Sequence, residues 1–176
     1  MKKISFVLIS FLLLFVIFYF SGLKMTTKDT IQEPTDTAAS STKNVVDKSL
    51  GISYSYIDNF YINNNLTQYV HPVEWPPSVM VKNEELNCMN PGKKVQINGA
   101  SYCIVAESEG AAGSTYTNYT YKKQFGTKVV VIVFVVRTPQ CANYDEPKKG
   151  ECEKEKIDLN IDTIVDKMFS TIKFAN

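Results

Sequence analysis

The sequence predicts an α+β fold: an antiparallel β-sheet domain packed against a C-terminal helix, preceded by an N-terminal transmembrane helix. Three observations carry the domain. Asn98-Gly99 separates two short alternating apolar segments, Val129 to Val136 is an unbroken apolar run, and Ile161, Ile164, Val165, Met168, Phe169 and Ile172 recur at helical spacing.

At the N-terminus, Met1-Lys2-Lys3 precedes an uncharged run from Ile4 to Leu23 made almost wholly of Ile, Leu, Val, Phe and Tyr. Twenty helical residues span about 30 Å, the thickness of a bilayer's hydrocarbon region. A cleavable signal peptide is the competing reading, but its apolar region is shorter and ends at a small-x-small site, and Phe20-Ser21-Gly22-Leu23 gives no clear Ala-x-Ala pattern. Residues 1–23 are therefore predicted to be a cytoplasmic tip and a retained cell-membrane anchor. Lys2 and Lys3 place the N-terminus inside and the remainder outside the cytoplasm. Residues 24–50, rich in Thr, Ser, Asp and Lys and lacking apolar periodicity, read as a disordered polar linker with a reach of roughly 25–30 Å.

Residues 51–176 form the predicted extracytoplasmic domain. Its opening, Gly51-Ile-Ser-Tyr-Ser-Tyr-Ile57, alternates Ile52, Tyr54 and Tyr56 with small polar residues, as a half-buried strand does. A polar stretch with Asn63-Asn64-Asn65 follows. Glu74-Trp75-Pro76-Pro77 then breaks regular structure before a short strand at Val79–Lys82. Around Asn98-Gly99, Lys93–Ile97 and Ala100–Val105 form a hairpin in which Val95 faces Tyr102 and Ile97 faces Ala100. A second hairpin is predicted from Thr115 to Arg137, reversing near Gln124-Phe-Gly-Thr127. Its second strand has no polar face, so it must be central and covered on both sides. The C-terminal helix supplies one cover, with Asn160 or Asp158 as its cap.

All four cysteines, Cys88, Cys103, Cys141 and Cys152, lie beyond the apolar run. Zinc ligands pair at much shorter spacing than these, so no metal site is expected. Four cysteines allow three pairings. Cys88–Cys103 with Cys141–Cys152 is favoured because both close local loops, the second pinning a charged segment from Tyr144 to Glu151 that otherwise reads as a mobile loop.

The opening Gly51-Ile-Ser-Tyr-Ser-Tyr56, the late apolar strand and the ending Ile164-Val-Asp-Lys-Met-Phe-Ser-Thr-Ile-Lys-Phe174 resemble uncharacterised membrane-anchored bacterial extracytoplasmic proteins, which are themselves similar to the PsbP-like family. That resemblance implies an antiparallel sheet covered by helices, an envelope location and an accessory or binding role. It brings no catalytic motif.

From Gly51 onward the chain has 13 Lys plus Arg against 14 Asp plus Glu, interspersed, so it carries no footprint for nucleic acid. No cofactor motif is present. Glu107-Ser-Glu-Gly-Ala-Ala-Gly-Ser-Thr115 is glycine-rich but lacks a P-loop ending and a dinucleotide fingerprint, and reads as a connection between hairpins. Asn65-Leu-Thr67 and Asn118-Tyr-Thr120 match the glycosylation acceptor pattern, which in a bacterial protein would be chance. Two function classes remain. One is a non-enzymatic module binding a protein partner or small molecule through a patch of Trp75, Pro76, Pro77, Gly110, Gly113 and Ser114. The other is an envelope hydrolase using His71 with Glu107, Glu109 or Ser114, which requires those groups to converge.

Overall fold

The computed structural model describes residues 41–175. The predicted cytoplasmic tip and span lie outside them, as does residue 176. Among the described residues no helix is long and apolar enough to cross a membrane.

The chain runs β1 (Thr42–Asp47), β2 (Ile52–Ile57), β3 (Tyr61–Ile62), β4 (Asn65–Leu66), β5 (His71–Pro72), β6 (Ser78–Lys82), β7 (Lys93–Ile97), β8 (Ala100–Ala111), β9 (Ser114–Phe125), β10 (Lys128–Pro139), α1 (Lys148–Asp158), α2 (Ile161–Ser170) and β11 (Lys173–Phe174). The main sheet is antiparallel, in the order β5-β10-β9-β8-β7, with β6 pairing beside β5 on the same edge of β10. A smaller sheet, β1-β2-β11, and a β3-β4 ribbon complete the strands. Sheet plus C-terminal helix is the α+β arrangement expected.

Three two-residue turns set the register of the long strands. Asn98-Gly99 and Ala112-Gly113 have positive φ at both central residues (49° and 81°, 48° and 72°), and Gly126 at 58° opens the turn to β10. Such turns match the twist of the strands they join. Val95 pairs with Tyr102 and Ile97 with Ala100, as read from the sequence.

Because side chains alternate across a strand, β10 divides its apolar run between two faces. On the inner face Val130, Ile132, Phe134 and Val136 join Tyr102, Tyr121, Phe60 and Val70, and α2 seals them with Val165, Met168 and Phe169. Asn160 caps α2, its side-chain oxygen accepting from the Thr163 N–H at 2.9 Å. On the outer face Val129, Val131 and Cys103 are also buried. Their cover is a loop, residues 83–92, tied down by the Cys88–Cys103 disulfide. Gln124 ties it again, accepting from the Leu86 N–H at 2.6 Å and donating to the Gly126 and Lys128 carbonyls.

Two boundaries differ from the sequence reading. The segment 24–50 contributes β1 at its end, paired with β2 from Thr42–Ile57 to Asp47–Ile52, so the fold begins before Gly51. β1 is an edge strand with mostly exposed side chains, so it shows no apolar alternation. Its turn is held by the Asp47 carboxylate, which accepts from the Ser49 and Leu50 N–H groups. The second half of the predicted mobile loop, from Lys148, opens α1, which carries only one buried side chain, Cys152. Its position is fixed instead by the Cys141–Cys152 disulfide and by Glu155, whose carboxylate accepts from the N–H groups of Gln68, Tyr69 and Val70 at 2.6–2.7 Å.

Candidate functional site

Among the described residues a cleft lies between α2 and the β1–β2 ribbon. It has a volume of about 350 Å³ and is lined by Thr42, Ser55, Tyr56, Ile57, Tyr61, Asn63, Asn64, Ile164, Lys167, Met168 and Thr171. Each wall has a local cause. Asn63 and Asn64 occupy a two-residue turn with φ of 50° and 67°, a left-handed conformation that Asn tolerates better than most residues, and the turn sets the β3–β4 ribbon at the rim. Ile164, Met168 and Thr171 lie three to four residues apart and so share one face of α2 and its end.

The Thr171 hydroxyl accepts from the Ser55 N–H at 2.8 Å and donates to the Met168 carbonyl at 2.7 Å, fixing the helix end to β2. On the rim the Tyr61 hydroxyl donates to Asp58 at 3.0 Å, and the Ser41 hydroxyl donates to the other oxygen of that carboxylate. These donors, Ser41 first, hold the Asp58 carboxyl below its ordinary range. Among the described residues of the lining Lys167 is the one charged side chain, and it is exposed. An apolar floor with a few polar groups and one cation can take a small molecule having an apolar body and an anionic end.

Beneath α2 lies a second set of polar groups. Asp162 accepts from the Tyr121 hydroxyl at 2.6 Å, and Asp166, one turn on, accepts from the Tyr102 hydroxyl and from Asn98. The Lys123 ammonium donates to the Tyr102 oxygen at 2.9 Å and lies 4.8 Å from that ring's centre. Burial first, then the hydrogen bond to its aspartate, pushes each of these two phenols well above the ordinary tyrosine range. Groups locked this way fasten the helix to the sheet.

The two halves of the patch expected from the sequence are not brought together. Trp75 is half-buried, packs edge-on against Tyr56, Phe60 and Phe134, and donates its indole N–H to the Ile57 carbonyl at 2.8 Å. Pro77 is buried beside it, leaving Pro76 exposed. The ring plugs one end of the core. Gly110, Gly113 and Ser114 belong to the β8–β9 hairpin tip, where Ser114 pairs with Pro139. That pair is five residues along β10 from Phe134, or about 17 Å. Ser114 is buried, and its hydroxyl has no hydrogen-bond partner among the described residues.

The expected hydrolase groups are spread across strands as well. His71 pairs with Arg137, Arg137 with Tyr116 and Tyr116 with Glu109, which separates the His71 and Glu109 backbones by about 14 Å. Ser114 is two strands across and two residues along from His71, about 12 Å away, and Glu107 is farther still. Direct proton transfer needs about 3 Å between heavy atoms. Among the described residues no group of three or more His, Cys, Asp or Glu could hold a metal ion.

The cleft was not legible as a site. Its signal was the Asn63-Asn64 pair between Tyr61-Ile62 and Leu66, which has the form of a two-residue hairpin. No family model matches the chain, and neither a curated protein nor a solved structure is significantly similar to it.

Proposed function

We propose that the protein is a membrane-tethered extracytoplasmic binding module, without catalysis of its own, whose cleft between α2 and the β1–β2 ribbon receives a small molecule with an apolar body and one anionic group. The cleft carries this reading. Its volume of about 350 Å³ falls within the range of small-ligand sites, and Tyr56, Tyr61, Ile57, Ile164 and Met168 provide apolar contact beside the Lys167 cation. Two disulfides support a location outside the cytoplasm, where thiols are not kept reduced. The uncharged run behind Lys2 and Lys3 supports the tether. The PsbP-like resemblance, which implies a helix-covered antiparallel sheet with an accessory role, points the same way.

The test is thermal stabilisation of the full chain in detergent by a panel of aromatic and aliphatic carboxylates and their neutral amides. Carboxylates should stabilise it more than the matched amides. Ile164→Trp, which fills the cleft, should abolish the effect, and Lys167→Ala should reduce it about tenfold in apparent affinity, the ratio set by about 1.4 kcal/mol. No stabilisation by any carboxylate at millimolar concentration, or stabilisation unchanged in Ile164→Trp, rejects the reading.

A further inference from the structure

We infer that the free edge of β8 from Ala106 to Gly110 is a strand-addition site whose occupant is an extended segment of a partner protein carrying Lys or Arg at two alternate positions. β8 is paired with β9 from Cys103 to Ala111, but β7 covers its other edge only from Ala100 to Ile104. The chain that would continue β7 turns away at Pro91 and Gly92, where it meets the Cys88–Cys103 bridge. Among the described residues no strand lies on the edge beyond Ile104, and residues 106–111 are exposed.

Turn geometry shows which backbone groups are free. In a two-residue hairpin the residues flanking the turn exchange both hydrogen bonds, and every second pair thereafter does the same. From the Asn98-Gly99 turn, Ala100, Tyr102 and Ile104 bond to β7; from the Ala112-Gly113 turn, Ala111, Glu109 and Glu107 bond to β9. The N–H and C=O groups of Ala106, Ser108 and Gly110 therefore point outward. All three residues are small, so an approaching backbone meets no bulky side chain, and the Ser108 hydroxyl is already engaged with Thr117 at 2.8 Å.

Charge selects the occupant. Glu107 and Glu109 project from one face of this edge, and neither is ion-paired among the described residues. Two copies of the edge paired antiparallel about Ser108 would set Glu107 against the other copy's Glu109 twice, and directly opposed like charges destabilise a sheet. A strand with cations at those positions gains where self-pairing loses. Strand addition of this kind takes affinity from main-chain bonds and specificity from alternate side chains.

The experiment uses the full chain in detergent and a fluorescent peptide alternating Lys with Thr and Val. Three comparison peptides accompany it: one with Glu for Lys, one N-methylated at alternate amides, and one with the same composition scrambled to lose alternation. The Lys peptide should bind, and all three others should bind at least tenfold more weakly. Glu107→Lys with Glu109→Lys should reverse the preference between the Lys and Glu peptides. Equal binding of the N-methylated peptide would overturn the inference, because charge alone would then suffice. Dimerisation of the unaltered protein that is lost on charge reversal, or no binding of the Lys peptide, would overturn it as well.

Discussion

The two faces of the main sheet are covered by different means. Inside, α2 and a set of packed rings close the core: Phe134 stacks 5.5 Å from Tyr119 and 6.0 Å from Tyr121, and Phe169 lies tilted 5.3 Å from Tyr102. Outside, Val129 and Val131 are covered by a loop whose hold is one disulfide and one glutamine. A helix covers a sheet through a periodic apolar stripe, which is visible in sequence. A loop covers it through particular bonds, which are not. The inner face should therefore fail when packing is removed, and the outer face when a single link is cut.

The largest effect expected is on the inner face. Trp75→Ala removes a ring that touches Tyr56, Phe60 and Phe134 together with its hydrogen bond to Ile57, and should cost about 3–5 kcal/mol in urea unfolding. A cost below about 1 kcal/mol would mean that the ring is a surface anchor rather than a plug. On the outer face, Cys88→Ser with Cys103→Ser opens a loop of sequence separation 15, worth about 3 kcal/mol in the chain-entropy account. Hydrogen exchange sharpens the contrast: the Leu86 amide should lose protection in that variant while α2 keeps its own. Loss of protection spread evenly over both would show the two covers to be one cooperative unit.

The same contrast explains what the sequence disclosed. The Asn98-Gly99 hairpin, the two-sided burial of β10 and the face of α2 were readable because each repeats a pattern that burial imposes. Both disulfide pairs followed from local spacing. By contrast β1 and α1 are held by pairing, by Glu155 and by Cys152 rather than by an apolar stripe, so periodicity missed them. For α1 the helix-end signals were present, Glu151 in its first turn and Lys156 in its last, after Pro147. The site was the least legible part. Trp75 beside two prolines could be read either as an exposed platform or as a plug for the core; its ring is folded inward onto partners from β2 and β10 that lie far away in sequence. The cleft joins residues 42 to 171, and no local pattern connects Thr42 with Thr171.

The smallest effect expected is a loss of stability that appears only at the extremes of pH, because it concerns the tyrosine–aspartate contacts that fasten α2. Burial, then the aspartate hydrogen bonds, raises the folded-state pKa of Tyr102 and Tyr121 above the unfolded value of about 10. Their contribution is therefore complete below about pH 10 and is lost as pH rises beyond it. Asp166 runs the other way. Burial pushes its carboxyl up, but hydrogen bonds from Asn98 and Tyr102 and the Lys123 charge together outweigh this and leave it lowered. That contribution is present above about pH 4 and is lost as pH falls through the folded value. Absorbance near 295 nm follows tyrosine ionisation, and far-ultraviolet circular dichroism follows the fold. As pH is raised, Tyr102 and Tyr121 should stay protonated until α2 detaches, and Tyr102→Phe should remove one phenol from that late step. If Tyr102→Phe leaves the late step unchanged while the circular dichroism stays native, the phenols are not locked beneath the helix. The inner cover would then rest on apolar packing alone.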